Sequence, residues 1–207
     1  GCTAARAQRV PFTGAVAGIA TLSADARAII DAGSADVSLY KPENGAALNV
    51  FVGVHVSDYF GVQGNYVWNR NMLTLSSIRS AGGSFFEERR TSSQHGFIAD
   101  GLLYFRDLDS RARPYLSAGG GLVRFHGSEP VLLASRGGAS RPAASFASTS
   151  PALRVAVGID IGSGPGWRFR YSFSETISRN PVSAQLSPPA QRNLANFQNL
   201  FGATKSF

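Results

Sequence analysis

The chain has 207 residues, 43% of them hydrophobic and only 16% charged, with a formal net charge of +7. That length suits one domain, and its 23 glycines argue against helices, because Gly is the costliest ordinary residue inside one. No apolar run approaches the ~18 residues of a transmembrane helix, but a barrel strand needs only about 10 alternating ones. The Lys and Arg residues are scattered with no basic platform, so nucleic acid is not an expected partner.

Residues 1–8 read as the remnant of an export signal, or as a lead-in, ahead of a single barrel domain over 9–207. Ala5-Arg6-Ala7 has the small-x-small shape of a signal-peptidase site. Gly1-Cys2 offers the other reading, the end of a lipobox with Cys2 lipidated, and both imply export. Cys2 is the sole cysteine, so no internal disulfide can form.

Period-two patterning follows, and it recurs eight times. A strand at 12–22 comes first, its faces not fixed by the pattern. A short helical turn is expected at 24–31. At 48–56, Leu48, Val50, Val52, Val54 and Val56 oppose Asn49, Phe51, Gly53 and His55. At 60–68, Phe60, Val62, Tyr66 and Trp68 oppose Gly61, Gln63 and Asn65. Weaker strands are read at 95–106 and 114–126. At 153–161, Leu153, Val155, Val157, Ile159 and Ile161 oppose Arg154, Ala156, Gly158 and Asp160. At 167–173, Trp167, Phe169, Tyr171 and Phe173 oppose Arg168, Arg170 and Ser172, and a last strand covers 193–207.

The connections alternate in length. Short ones lie at 57–59, 107–113 and 162–166; long ones lie near 23–45, 71–94, 127–150 and 178–192. The fold class implied is all-β: a closed, antiparallel, up-and-down transmembrane barrel of about eight strands, with short periplasmic turns and four long extracellular loops. The apolar set is expected to face lipid rather than a soluble core. The opposite set mixes charges with Gly53, Gly61, Ala156 and Gly158, which suits a crowded narrow lumen. Phe60 and Trp167 collect at the short-turn ends, and Tyr66 and Trp68 towards the long loops, as an aromatic girdle would.

Three phrases carry a family resemblance: Tyr59-Phe60-Gly61-Val62-Gln63-Gly64, Arg113-Pro114-Tyr115-Leu116-Ser117-Ala118-Gly119-Gly120-Gly121, and the terminal Phe207. The pattern over nearly all of 11–207 resembles the OmpA/OmpX-like small outer-membrane β-barrel family. The resemblance implies a bacterial outer-membrane location and contact with outer-membrane lipid and lipopolysaccharide. It also implies Phe207 as an assembly signal read by the barrel-assembly machinery. A monomer is expected.

Within the barrel, Asp100, Arg124, Arg154, Asp160, Arg168 and Arg170 are expected to form a luminal charge network, with Asp160 pairing Arg168 across the turn between them. If a pore existed, the Arg excess would favour anions. Arg79, Arg89, Arg90, Arg136, Arg141, Arg179 and Arg192 fall in the long loops, where they could meet lipopolysaccharide phosphates. His126 and Ser128 have the His-x-Ser spacing used by lipid A deacylases, which are also eight-stranded barrels. The Asn that usually follows that Ser is replaced by Glu129, and His126 is expected to point inward, away from lipid. His55, His95 and His126 sit on separate strands without metal-ligand spacing, so no metal site and no cofactor are expected. Gly119-Gly120-Gly121 should allow close packing, and 135–151 reads as a flexible loop. The functional expectation is a non-enzymatic barrel working through its outer loops, with a narrow channel, a His126/Ser128 hydrolase and a soluble ligand carrier as alternatives.

Overall fold

The computed structural model describes residues 9–22, 27–139 and 141–207. The export-signal and lipobox readings of residues 1–8 lie outside them. In chain order the strands are β1 (Val10–Leu22), β2 (Arg27–Asp31), β3 (Asp36–Pro42), β4 (Gly45–His55), β5 (Phe60–Arg79), β6 (Ser84–Tyr104), β7 (Ala112–Gly127), β8 (Val131–Arg136), β9 (Phe146–Gly164), β10 (Trp167–Arg179) and β11 (Asn193–Ser206). Eight of them, β1-β4-β5-β6-β7-β9-β10-β11, pair in sequence, and β11 returns to β1, closing the ring. All these pairings are antiparallel, so every wall strand is hydrogen-bonded on both sides. A spanning sheet in lipid needs that closure, because an open edge would strand peptide groups in hydrocarbon.

Side chains alternate cleanly across the wall. On β4, Asn49, Phe51 and His55 are buried while Val50 and Val52 are exposed; on β9, Arg154 and Asp160 are buried while Leu153, Val155 and Val157 are exposed. A surface carrying Phe97, Leu116, Leu122, Phe169, Phe173 and Phe201 in the open suits hydrocarbon, not water. The inward glycines make room. A Cβ on Gly53 would lie 2.4 Å from the Phe12 ring, one on Gly158 would lie 2.5 Å from Tyr115, and one on Gly119 would lie 2.0 Å from the Ala99 carbonyl oxygen.

The short turns cluster at one end. Beyond β6, Asp107 accepts bonds from the Ser110 N–H at 2.9 Å and the Ser110 hydroxyl at 2.6 Å, which hold its carboxyl below the usual range.

At the other end three expectations are corrected. Residues 71–79 and 84–94 are not loop: β5 and β6 run on past the ring and meet at a tight turn with positive φ at Gly82 and Gly83. Arg27–Asp31 is strand rather than helical turn, pairing with β3, which in turn pairs with β5. Within 135–151, β8 runs to Arg136 beside β6 and β9 already begins at Phe146, so both ends of that segment are strand. The barrel therefore carries a projecting sheet, β2-β3-β5-β6-β8, above the ring.

Under this projection sits an apolar cluster of Leu22, Tyr40, Leu73, Leu75, Phe86, Phe125, Val182, Leu186, Ala190 and Leu194. Burying each Leu or Phe there contributes roughly 1.5–3 kcal/mol. Val182 and Leu186 come from the connection between β10 and β11, which folds over the mouth around a 3₁₀ turn at Ser183–Gln185. Ser38 and Ser77 donate to the Pro188 and Ser187 carbonyls at 2.6 and 2.5 Å and fasten that segment to β3 and β5.

Because the space opposite Gly158 is filled by Tyr115, Gly158→Val should lower stability by about 1–3 kcal/mol, read as a lower urea midpoint in detergent micelles. Gly64→Val, whose added carbon meets nothing within 4 Å, should leave the midpoint unchanged.

Candidate functional site

Inside the ring the charges are matched and linked. Arg170 on β10 faces Asp160 on β9 directly across the ladder and donates from Nε to Oδ1 at 2.6 Å and from Nη2 to Oδ2 at 2.7 Å. Its Nη1 donates to the Gln63 side-chain oxygen at 2.8 Å. Gln63 donates to Asn65 Oδ1 at 2.6 Å, and Asn65 donates to Asp100 Oδ2 at 3.1 Å. Arg154 completes the chain, donating to the same Asp100 oxygen at 2.5 Å. Two buried ion pairs are thus one continuous network. Aromatic rings pack around it: the Arg170 guanidinium lies 4.7 Å from the Phe51 ring centre and 4.9 Å from that of Tyr115. Tyr104 donates to Asp160 at 3.2 Å and accepts from Arg170 at 3.0 Å.

Above this layer, amides bond to one another. Asn196 donates to Asn69 and Gln94 at 2.9 and 3.1 Å, and Asn69 donates to Asn71 at 2.6 Å. Higher still, the buried Arg90 pairs with Glu88 and donates to the Ala143 carbonyl at 2.9 Å. The space lined by Arg154, Arg170, Tyr115 and Phe51 amounts to about 10 Å³, room for about one water. At this level side chains plug the ring.

Of the expected luminal set, Asp100, Arg154, Asp160 and Arg170 converge. Two corrections are needed. Asp160 pairs with Arg170, not Arg168, because Arg170 is its ladder neighbour. Arg168 instead donates to the Ser110 and Leu108 carbonyls at 2.9 and 2.5 Å, at the short-turn mouth. Arg124 is not luminal: the β7 positions buried with the interior are Arg113, Tyr115, Ser117, Val123 and Phe125, so Arg124 faces out. Within the network each of the two arginines has its own carboxylate, and the Arg excess lies at the short-turn mouth, in Arg168 and Arg113. The sequence reading did not single out Arg113, which is fully buried, donates to the Asp58 carbonyl at 2.7 Å, and lies 3.8 Å from the Tyr104 ring centre. Its parity with Tyr115 and Ser117 was the available signal.

Phe60 and Trp167 are exposed near the short turns, while Tyr66 and Trp68 sit on the same outer face nearer the projection. Lys205 shares the outer parity and donates to the Pro165 carbonyl at 3.0 Å, its ammonium 5.4 Å from the Trp167 ring. Phe207 is 74% exposed. Among the loop arginines, Arg89 bridges to Glu43 at 3.6 Å and Arg90 is buried, so neither is free for an outside anion; Arg79, Arg136, Arg141, Arg179 and Arg192 are exposed. His126 points outward, against expectation. Ser128 is already engaged, its hydroxyl accepting from the Thr91 N–H at 3.1 Å and donating to the Glu129 carbonyl at 3.3 Å.

No family model and no curated protein sequence matches the chain. Solved structures do. Neisserial surface protein A is 16% identical, with 96% of each chain covered and a TM-score of 0.53. The outer membrane protein OprG from Pseudomonas aeruginosa is 13% identical over 97% of this chain and 96% of its own, with a TM-score of 0.57. The chain has the fold of the small outer-membrane β-barrels. Its apolar belt and that fold together put it in a bacterial outer membrane.

Removing one partner of a buried pair leaves the other charge uncompensated. Asp160→Asn should therefore cost about 3–5 kcal/mol, and Asp160→Asn with Arg170→Gln distinctly less, in urea titrations of the refolded barrel.

Proposed function

We propose that this barrel is a non-enzymatic surface-binding protein that uses its filled ring as an anchor and its projecting sheet as the contact surface. The observation that carries this reading is the projection itself: a five-stranded extension, packed on its own apolar core, that holds Ile30, Ile78, Val131, Leu132 and Leu133 exposed. Rigid strands present those side chains at far lower ordering cost than flexible loops would. Exposed Arg79, Arg136 and Arg141 surround them, which suits a partner with acidic groups beside apolar ones. The polar plug supports anchoring over conduction, because the gap beside Arg154 and Arg170 admits only about one water.

The hydrolase alternative has gained an outward His126 but lacks a free nucleophile, since both hydrogen-bonding directions of Ser128 are taken by backbone. A Ser needs a base within about 2.6–3.2 Å to be activated.

Bacteria displaying the whole protein should adhere to a surface coated with a polymer that carries acidic groups beside apolar ones. A variant with residues 128–145 replaced by a short Gly-Ser turn should lose that adhesion while keeping its heat-dependent gel mobility. Equal adhesion by both, or stepwise conductance in planar bilayers, would overturn the reading. Lipid A incubated with the purified barrel should keep its mass.

A further inference from the structure

The outer wall is not uniform. On the lipid face of β5, β6 and β7 the ladder brings Arg70, Ser93 and His126 into one row, and Trp68, His95 and Arg124 into the row below. Arg70, Arg124 and His126 are exposed, and His95 is held by a 2.8 Å hydrogen bond between its Nδ1 and the Tyr66 hydroxyl. Neighbouring strands lie about 4.8 Å apart, so Arg70 and His126 start only about 10 Å from each other, within reach of one shared anion. The carboxylates nearby are Glu43, which is matched by Arg89, together with Glu87 and Glu129. Glu87 stands opposite Ser76, three rows beyond Arg70, so Arg70 and Arg124 outnumber Glu129, the unmatched carboxylate that remains near them.

Its height is telling. From Phe60 near the short turns to Arg70 is ten residues along one strand. At about 3.3 Å per residue and a tilt of about 40°, that rises about 25 Å, the height of a barrel's apolar band. Arg70, Arg124 and His126 therefore stand at the headgroup level of the outer leaflet.

Directly beneath lies an apolar groove of about 570 Å³ lined by Val50, Val52, Tyr66, Phe97, Ala99 and Gly120. It continues towards the short turns through a second hollow of about 610 Å³ that shares Val52 and Ala99 and adds Val62 and Gly101. Packing does not impose this hollow. A Cβ at Gly64, in its floor, would meet nothing within 4 Å, and one at Gly101 would only touch the Phe60 ring at 3.6 Å.

We infer that this face binds one amphiphile: a phosphorylated, multiply acylated glycolipid of the outer leaflet, of the lipid A type. Its phosphates meet Arg70, Arg124 and His126, and its acyl chains lie in the groove over Gly64, Ala99 and Gly120. The charge complementarity selects an anion, and the groove in line below it selects one that carries chains. A free phosphate satisfies only the first requirement, and a zwitterionic phospholipid only the second. This site is separate from the projecting sheet and stands whether or not that sheet binds a partner.

The test uses the full chain refolded in micelles, with lipid retention read by native mass spectrometry. The probes are bisphosphorylated lipid A, its monophosphoryl form, phosphatidylethanolamine and inorganic phosphate. Wild type should retain bisphosphorylated lipid A, with weaker retention of the monophosphoryl form and little of phosphatidylethanolamine. Arg70→Ser with Arg124→Ser should weaken retention about tenfold or more. Gly64→Leu, which fills the groove, should weaken it with the charges intact. Both variants must show the wild-type heat-dependent mobility. Undiminished retention by either variant would overturn the proposal. So would wild-type retention of phosphatidylethanolamine equal to that of lipid A, or complete displacement by millimolar inorganic phosphate.

Discussion

Everything in this molecule depends on the requirement that polar groups turned into the barrel find their partners inside it. The wall shields them from lipid, and beside Arg154 and Arg170 the space holds only about one water. A lone Arg there would cost several kcal/mol. For its two central ion pairs the chain meets the requirement by running one hydrogen-bonded path from Asp160 through Arg170, Gln63, Asn65 and Asp100 to Arg154. Contributors come from β5, β6, β9 and β10, so the network forms only once those strands are in register. A one-residue slip of any one of them would turn that strand's contributors towards lipid. The same path that satisfies the charges thus specifies the alignment of the wall.

Glycine placement follows from that crowding. Phe12, Phe51 and Tyr115 are drawn over the Arg170 guanidinium, at 5.8, 4.7 and 4.9 Å from their ring centres, and such large rings fit only where the facing wall has no side chain. Gly14 and Gly53 face Phe51 and Phe12 respectively, and Gly158 faces Tyr115. Cation–π attraction, worth about 2 kcal/mol or more when desolvated, adds to what the carboxylate provides.

Much of the ring was legible because a strand in lipid has a simple code, apolar outside and polar or small inside. That code gave the wall strands and the face of nearly every residue on β4, β9 and β10. It failed where the surroundings change. Above the membrane the inward positions of β5 become Leu73 and Leu75, and the outward ones include Thr74 and Ser76, so the polarity of the alternation inverts. A reader following one phase loses the strand at that crossing and sees a loop. Arg124 and His126 were misplaced for a related reason: they stand where the outer face leaves hydrocarbon, and there a charge no longer signals the interior. The Asp160–Arg170 pairing was hidden because the turn read at 162–166 is only Pro165 and Gly166, β9 running on to Gly164, with a bulge beside it between Trp167 and Arg168. Nothing in sequence alone marks that bulge.

The two ends of the wall answer different physical demands. At the short-turn end the backbone carbonyls of Asp58, Leu108 and Ser110 are turned onto Arg113 and Arg168, so cations close that mouth without carboxylates. At the far end an apolar cluster closes it, and the polar amide layer lies beneath the cluster rather than open to solvent. The projection and the lipid face are the outer surfaces that this packing leaves exposed. Residues freed from packing there have no structural reason to be small or charged. Gly64 beside an open hollow, with Arg124 two rows above it, is the combination that barrel assembly alone does not require.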